Sequence, residues 1–346
     1  MFLKIKNNIE KELHAYIGAI NKLYALNKLS PVLFKSIKEF ICRDGKRVRP
    51  VLFCIGYLGF SKKTPPGLYR SALSLELLHD FMLVHDDIID KSDQRRGKPA
   101  MHTLLKASLK QNNKIKFSGE DLGIVAGDVM YAMALDAFLC VKEDLLRKEK
   151  ALKKLFLAAL YTGSGEFIEL LLGTKPIEKV TQKDIYKIYD YKTANYTFAS
   201  PLTMGAELAG AKQPQIKRLY SYGMLLGRAF QIKDDIIGIF GAVKDIGKPN
   251  LTDIKEAKRT LLVWYAFHHA CKKDKLLIKR IMENAVTQDA QLIKMRAIIT
   301  NTGALTYAQN QIKQLYKQAS NQIRNLNMRR EYKQALDRFS QQILKT

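Results

Sequence analysis

The sequence contains few residues that interrupt helices or crosslink secreted proteins. Nine prolines and twenty glycines are spread over 346 residues, which leaves room for long uninterrupted helices. None of the four cysteines forms a CxxC or Cys/His pattern, which argues against a zinc site. We interpret them as buried apolar thiols of a reducing cytoplasm. They are Cys42, Cys54, Cys140 and Cys271.

The sequence also lacks a long apolar run without charges. The opening residues, MFLKIK, do not form the apolar core of a signal peptide. The most apolar stretch, residues 122–141, contains Asp128 and Asp136. Two ionised side chains make a membrane-spanning helix costly. We therefore predict a soluble, cytoplasmic protein with at most peripheral membrane contact.

Acidic residues are the minority in this chain. Fifty-eight lysines and arginines stand against thirty-three acids, for a formal net charge of +25. Such an excess can attract nucleic acid or anionic lipid headgroups. The basic residues are spread out, however, and no dense basic tract exceeds a few residues. We therefore do not expect nucleic-acid binding.

Alternating β-strand patterns do not persist anywhere, whereas helical spacing is common. Apolar residues recur every three or four positions in residues 72–89, 220–239 and 305–344. Length alone would suggest about two domains, but no Pro/Gly/Ser-rich linker divides the chain. We predict an all-α fold with a single domain over residues 1–346.

Against this background, a first acidic cluster comprises Asp86, Asp87 and Asp90. Because a helix turns by about 100° per residue, Asp86 and Asp90 fall almost in line, with Asp87 to one side. Like charges packed together are costly unless a cation neutralises them. Carboxylate oxygens suit Mg²⁺, which completes its octahedron with waters and substrate phosphates.

A second cluster follows nearly 150 residues later, at Asp234 and Asp235. Gln231 stands about one helical turn before Asp234. The glycines and lysines that follow suit a loop that closes on phosphate. Taken alone, either cluster could be a solvated helix end followed by an ordinary charged loop.

Basic motifs accompany both clusters. Arg95, Arg96 and Gly97 begin five residues after Asp90, and adjacent arginines can bind phosphate oxygens through bidentate hydrogen bonds. Three cations stand between Gly45 and Pro50 and can form an anion pocket, although this motif alone is weak. They are Lys46, Arg47 and Arg49.

From about residue 44 to about residue 260, these motifs in this order resemble the trans-isoprenyl diphosphate synthases, which include farnesyl and geranylgeranyl diphosphate synthases. Residues 329–336 also resemble the last helix of that family. The resemblance implies a helical bundle around a central cavity, a homodimer, and isopentenyl diphosphate and allylic diphosphates as substrates. It further implies about three Mg²⁺ ions.

The resemblance assigns roles to individual residues. The implied metal ligands are Asp86, Asp87, Asp90, Asp234 and Asp235. The cations implied for the homoallylic diphosphate are Lys46, Arg49, His79 and Arg96. Those implied for the allylic diphosphate are Arg95, Lys192 and Lys258, with Lys248 in a closing loop. Groups implied near the breaking C–O bond are Lys192, Thr193 and Gln231. His85 directly precedes the acids and is expected to support a carboxylate.

Two departures from the family pattern stand out. Gly238 replaces the third acid of the second cluster. We expect activity to survive because the first acid makes the main metal contact, and Asp245 can partly compensate. Glu166 and Glu169 replace a Gln and an Asp that many members carry after a glycine, which we interpret as a mild change.

The reaction implied is the condensation of isopentenyl diphosphate with an allylic diphosphate, with the departing diphosphate as the base. Metal ions and cations would stabilise the leaving group, and a dry cavity would protect the allylic cation. Phe81 and Met82 lie five and four residues before Asp86, on the wall where the product tail would run. The resemblance to the family, with one aromatic residue at the fifth position, implies C20, with C15 or a longer product as alternatives. A class I terpene cyclase and a non-catalytic regulatory subunit are the other classes considered.

Overall fold

The computed structural model describes residues 1–109, 116–241, 254, 257–283 and 289–344. Over these residues the chain is all-α, apart from one pair of two-residue strands, and this confirms the predicted fold class. Backbone contacts divide the chain into two compact units. The first contains Met1–Leu155 and Met204–Ala211, and the second contains Phe156–Thr203 and Lys212–Thr346. A single functional domain stays a prediction.

In its described residues, the first unit contains seven helices, a β-hairpin and parts of two helices that continue into the second unit. The helices are α1 (Phe2–Tyr24), α2 (Leu26–Leu29), α3 (Pro31–Ile41), α4 (Val48–Leu58), α5 (Leu68–Ile89), α6 (Met101–Ser108) and α7 (Gly119–Leu139). The strands are β1 (Gln94–Arg95) and β2 (Lys98–Pro99). The helices with residues in both units are α8 (Leu145–Gly173) and α10 (Ser200–Leu208).

A row of glycines on α7 lets this helix pack closely against its neighbours. Gly119, Gly123 and Gly127 repeat every fourth residue and so share one helix face. A Cβ atom on Gly127 would lie 2.6 Å from Nε2 of His85, and one on Gly123 would lie 3.0 Å from Ile88 Cδ1. The absence of side chains therefore allows α7 to support the end of α5, where the first acidic cluster lies.

The hairpin β1–β2 presents the adjacent arginines on a tight turn. Gln94 pairs with Pro99 and Arg95 pairs with Lys98 in antiparallel register. The central residues, Arg96 and Gly97, have φ angles of 55° and 71°, as a type I′ turn requires. Glycine adopts this conformation readily, whereas arginine does so at a cost, and such strain is often found at functional sites.

The side chain of Arg43 fixes the hairpin in place. One guanidinium nitrogen donates to the carbonyl of Pro99 at 2.8 Å and another to that of Arg95 at 3.4 Å. Arg43 is buried and also pairs with Glu39 at 2.7 Å. Its charge is therefore compensated while its donors satisfy both strands. The two turn arginines thus start from an anchored backbone.

The second unit contains the remaining helical elements. They are a 3₁₀ turn (Ile177–Lys179), α9 (Gln182–Ile188), a π-helix (Tyr189–Ala199), α11 (Gln213–Phe240), α12 (Leu261–His269), α13 (Lys272–Glu283), α14 (Asp289–Asn301), α15 (Ala304–Arg324) and α16 (Arg330–Leu344). A buried apolar cluster of this unit includes residues of α11, α12, α13, α14 and α15.

Close contact between α11 and the π-helix depends on two glycines. A Cβ on Gly223 would lie 2.5 Å from Ala199 Cα, and one on Gly227 would lie 2.4 Å from Ala194 Cα. Such distances leave no room for a side chain. In the π-helix an N–H donates to the carbonyl five residues earlier, not four as in an α-helix. The bond from the Ser200 N–H to the Asn195 carbonyl is an example. This rare geometry is frequent at functional sites.

Among the described residues, two helices, α7 and α8, are long and apolar enough to cross a membrane by length and composition alone. The buried core helix of a soluble protein passes the same test. On α7, Asp136 accepts hydrogen bonds from Tyr16 at 3.0 Å and Tyr24 at 3.3 Å. The acid that makes insertion into lipid costly is therefore used in packing against α1.

Candidate active site

The last turn of α5 carries two acids of the first cluster on one side. Asp86 and Asp90 lie one turn apart, since the N–H of Asp90 donates to the carbonyl of Asp86 at 2.8 Å. Both residues are partly exposed. Carboxylates at a helix C-terminus face the negative end of the helix dipole and gain from a nearby cation. Two hard oxygen donors that remain open to solvent fit Mg²⁺.

No group of three or more potential metal-ligating side chains is found among the residues that the structure describes. The fit to Mg²⁺ in the first unit therefore depends on Asp86 and Asp90. This ion needs only one or two carboxylates when waters and substrate phosphates supply the other ligands. The two acids meet that requirement without a further protein ligand.

The third acid, Asp87, is fully buried and holds the hairpin arginine. Nε of Arg95 donates to Oδ1 of Asp87 at 2.8 Å, and a second guanidinium nitrogen contacts the same oxygen. Burial works against the charge of Arg95, but Asp87, Asp86 and Asp90 outweigh it and raise the pKa of the arginine. Asp87 thus links the acidic helix end to the basic turn.

Four predicted diphosphate-binding residues also belong to the first unit. Lys46 and Arg96 are exposed, while Arg49 and His79 are partly buried. A guanidinium nitrogen of Arg96 lies 3.5 Å from the carbonyl of Asp44. Burial and the nearby arginines, Arg49 and Arg96 first among them, hold the pKa of His79 well below its usual range. His79 is therefore neutral at pH 7 and lies in a positive field.

Arg47 differs from the prediction that it belongs to an anion pocket. It is 2% exposed and adopts a left-handed φ of 49° at the start of α4. Its guanidinium binds Glu10 and Glu76, each at 2.8 Å. One guanidinium nitrogen donates to the carbonyls of both Ile41 and Arg43. The charge of Arg47 is thus compensated inside the unit, so this cation supports the fold.

The predicted floor residues lie one turn before the acids. The Phe81 ring contacts those of His85 and Tyr131, with centroids 4.6 and 5.3 Å apart. Phe81 and Met82 are both partly exposed. Gly127 makes room for the Phe81 and His85 rings beneath α7. An aromatic wall therefore stands near the first acidic cluster.

His85 was expected to support a carboxylate, and the carboxylate that lies near its ring belongs to Asp128 of α7. Its Nε2 lies 3.3 Å from the carbonyl of Ile124 and 3.8 Å from Asp128. These partners belong to α7, and the ring also packs on Phe81. The contacts make His85 a packing residue between α5 and α7.

In the second unit, Lys192 lies on the π-helix between two glutamates of α8. Its Nζ contacts Glu166 and lies 2.5 Å from Glu169. All three side chains are largely buried. Gly165 permits the close approach, because a Cβ there would lie 2.8 Å from the backbone nitrogen of Lys192. Glu166 and Glu169, which depart from the family pattern, therefore both contact Lys192, the cation predicted to bind the allylic diphosphate.

A chain of hydrogen bonds orients Thr193 and Gln231. The Thr193 hydroxyl donates to the side-chain oxygen of Gln231 at 2.6 Å, and the Gln231 amide donates to Asp235 at 2.9 Å. Tyr189 also donates to Asp235 and accepts from the N–H of Leu261 at 2.9 Å. Burial and Asp235 raise the pKa of Tyr189, so its hydroxyl keeps its proton.

The two acids of the second cluster have different surroundings. Asp234 is exposed, whereas Asp235 is buried and held by Tyr189 and Gln231. Asp234 is thus the acid with access to a metal ion, and the metal role of Asp235 stays a prediction. Lys258 is partly buried. The predicted contributions of Lys248 and Asp245 lie outside the described residues.

Sequence reasoning missed several of these features. The π-helix has no simple sequence signal, and the pairing of Lys192 with Glu166 and Glu169 joins residues on different helices. The role of Tyr189 depends on Asp235, which lies 46 residues away. The two glutamates do carry a local signal, because they depart from the family pattern.

A surface cavity of about 760 Å³ also lies in the second unit, near the π-helix. Tyr161, Tyr186, Tyr220 and the Arg228–Asp190 ion pair are among its lining residues. None of the predicted site residues lines it. The predicted chemistry is therefore not located in this cavity.

Comparison with known proteins agrees with these features. Residues 30–299 match the family model described as Polyprenyl synthetase. A geranylgeranyl diphosphate synthase of Sulfolobus acidocaldarius is 29% identical over 330 residues, covering 94% of this chain and 91% of the relative. A geranylfarnesyl diphosphate synthase of Aeropyrum pernix is 32% identical over 280 residues, covering 79% of this chain and 80% of the relative.

Solved structures give the same result for the fold. The structure of geranylgeranyl pyrophosphate synthase from Corynebacterium glutamicum, complexed with isoprenyl diphosphate and magnesium, matches with a TM-score of 0.90 at 26% identity. The match covers 99% of this chain and 98% of that chain. With the family match over most of its length, the chain belongs to the polyprenyl synthetase family of prenyl diphosphate synthases.

Proposed function

We propose that the chain condenses isopentenyl diphosphate with an allylic diphosphate, head to tail, to give a trans prenyl diphosphate and free diphosphate. The observation that carries the proposal is the acidic end of α5, with Asp86 and Asp90 partly exposed and Asp87 bound to Arg95. An acid pair next to anchored arginines suits a magnesium-bound diphosphate. Relatives named as geranylgeranyl and geranylfarnesyl diphosphate synthases support the reaction class.

In this proposal Asp86, Asp90 and Asp234 would hold Mg²⁺. The bound metal would neutralise charge that develops on the leaving diphosphate. About three ions are expected from the resemblance to the family.

The chain's own residues would bind and orient the substrates. In the first unit, Arg49, Arg96, Lys46 and the neutral His79 would bind the diphosphate of isopentenyl diphosphate through charge-assisted hydrogen bonds. The anchoring of the hairpin by Arg43 supports this role because it limits the freedom of the turn arginines.

In the second unit, Lys192 would donate hydrogen bonds to the allylic diphosphate. Thr193 and Gln231 would present oriented dipoles to the developing allylic cation, since their side chains are locked to Asp235. The proton lost at the end of the reaction would leave with the diphosphate. None of these steps requires a side-chain nucleophile.

Product length is proposed as C20, with C15 or a longer chain as the alternative. The rings of Phe81 and Tyr131 would form the apolar wall that meets the growing tail and excludes water from the cation. Relatives at about 30% identity are named for C20 and C25 products, so they do not decide between lengths.

A homodimer is proposed from the apolar surface of α8. Leu160 and Phe167 are 61% and 65% exposed, and Leu170 and Leu171 also face solvent. Leu160, Phe167 and Leu171 recur at helical spacing and so share one side of α8. Exposed apolar residues grouped in this way mark an interface, and a second copy of the chain is the proposed occupant. Light scattering on the unaltered protein and on Phe167→Lys tests this: a dimer that becomes a monomer supports it, and a monomeric unaltered protein contradicts it. A cytoplasmic location stays a prediction.

The decisive experiment combines labelled isopentenyl diphosphate with each allylic primer and Mg²⁺. We expect elongation, with product length read by chromatography after removal of the diphosphate. Asp86→Asn and Asp90→Asn should each lower the rate at least about a hundredfold, because each removes a metal-binding charge. No elongation with any primer would contradict the proposal. Cyclised product without use of isopentenyl diphosphate would instead indicate a terpene cyclase, and a lack of both activities a regulatory subunit.

A further inference from the structure

Helix α5 contains a buried acid, Asp80, that the proposed reaction does not use. It is 0% exposed. Among the described residues, neither of its side-chain oxygens has a hydrogen-bond partner. A buried carboxylate normally requires partners, because an unsatisfied polar group inside a protein is costly. Asp80 therefore calls for an explanation that packing does not supply.

The charged and titratable groups around this buried acid come from four parts of the chain. Glu76 stands one turn earlier on α5, Arg47 and Arg49 lie at the start of α4, and Arg96 lies in the hairpin turn. The thiol of Cys42, directly after α3, is also within electrostatic range. Glu76 and Arg47 compensate each other, with 2.8 Å between their charged atoms. The other two arginines are those proposed to bind isopentenyl diphosphate.

Protonation of Asp80 is favoured by two of these features. Burial, followed by the negative charge of Glu76, raises the pKa of Asp80 well above its usual range, although Arg96, Arg47 and Arg49 oppose the rise. A protonated Asp80 leaves Arg49 and Arg96 available for an external anion. An ionised Asp80 would compete with that anion for the same positive field.

We propose that Asp80 is a positioning residue that couples proton uptake to the binding of isopentenyl diphosphate. The inference rests on the proposed function. When the diphosphate binds at Arg49 and Arg96, the two anions repel each other, and Asp80 takes up a proton from solvent. When the site is empty, the arginines oppose the rise in the pKa of Asp80, and a bound anion cancels part of that opposition. Asp80 acts through these arginines and does not itself contact the substrate.

The test compares the unaltered enzyme with Asp80→Asn, which keeps the shape but cannot ionise. The KM for isopentenyl diphosphate is measured from about pH 6 to 9.5 with a saturating allylic primer. We expect the ratio of the two KM values, unaltered over variant, to rise at least about threefold with pH, because an ionised Asp80 weakens binding only in the unaltered enzyme. The kcat ratio should stay constant. The titrations of the substrate and of His79 occur in both proteins.

A second experiment measures the number of protons that the protein takes up when isopentenyl diphosphate binds. Calorimetric titration with isopentenyl diphosphate in buffers of different ionisation enthalpy gives the protons taken up on binding. The unaltered enzyme should take up more than Asp80→Asn somewhere in this pH range. Ser74→Ala is the matched control, since Ser74 is also a fully buried polar residue of α5, and it should behave like the unaltered enzyme.

The outcomes separate this inference from the proposed function. Suppose that both proteins are active, that the ratio of their KM values does not change with pH, and that they take up the same number of protons. This result would overturn the inference and leave the proposed function standing. If the unaltered enzyme shows no condensation activity, the proposed function itself is overturned. Should Asp80→Asn not fold, the unaltered protein labelled with ¹³C-aspartate is used. Its infrared difference spectrum on adding isopentenyl diphosphate should gain carboxylic acid absorption, and no gain at any pH in the range would overturn the inference.

Discussion

The cation proposed to bind the allylic diphosphate carries more negative charge around it than that role requires. Lys192 is 22% exposed and contacts both Glu166 and Glu169, which are 14% and 19% exposed. With both acids ionised, the three groups sum to one negative charge. Glu166→Gln would bring this sum to zero with almost no change in shape. We expect the KM for the allylic substrate to fall.

The magnitude follows from Coulomb's law. A carboxylate about 6 Å from a bound phosphate charge repels it by about 3 kcal/mol at an effective dielectric constant of about 20, and solvent and salt reduce this value. A change of about 1–3 kcal/mol corresponds to a KM lower by about 5- to 150-fold. Because the interaction is with the diphosphate and not with the cation alone, kcat should change less than KM.

The assay is initial-rate kinetics with a varied allylic diphosphate and saturating isopentenyl diphosphate. Glu178→Gln is the matched control, since Glu178 forms an ion pair with Lys279 at 2.6 Å in the same unit, on helices that carry no predicted site residue. This control should leave the KM unchanged. A KM for Glu166→Gln that is unchanged or higher would refute the reasoning. A higher KM would indicate that Glu166 helps to hold the substrate or its metal.

Three further predictions follow from contacts described above. Phe81→Ala should lengthen the product because it removes the aromatic wall, and an unchanged chain length on thin-layer chromatography would contradict this. Gly227→Ala should lower the free energy of unfolding by about 1–3 kcal/mol in a denaturant titration, because the new Cβ would lie 2.4 Å from Ala194 Cα; Gly18→Ala, with nothing within 4 Å, should show no loss. The lowered pKa of His79 means that the unfolded state binds the extra proton, so stability should fall as pH drops below ~6.5, and His79→Gln should remove this part of the pH dependence of the melting temperature.

The sequence was sufficient for the features that depend on local spacing. The helical period of residues 72–89 predicted α5, and the four-residue interval between Asp86 and Asp90 predicted their shared side. The turn at Arg96 and Gly97 has a local signal in the glycine. Such features follow from the backbone period and from residue conformation, which neighbouring residues determine.

Features that depend on distant partners were not predictable in the same way. Arg47 looked like a member of an anion pocket, but Glu10 and Glu76 bind it, and they lie 37 and 29 residues away. The hydrogen bond that Tyr189 donates to Asp235 joins residues 46 positions apart, and the metal role of Asp235 stays a prediction. Such partners depend on which charged residues are buried, and no local pattern reports the burial of a charged residue.

The π-helix at Tyr189–Ala199 has a consequence for how this segment can vary. Because its hydrogen bonds span five residues, each turn holds more residues than a turn of an ordinary α-helix. A π-turn takes up one residue more than an α-turn, so removing one residue after Thr193 would favour ordinary helical bonding while the helix on either side keeps its orientation. The contacts of Ala199 with Gly223 and of Ala194 with Gly227 leave no room for a side chain on either glycine. The π character of this segment therefore depends on the number of its residues, whereas its contact with α11 depends on the small size of the residues that meet there.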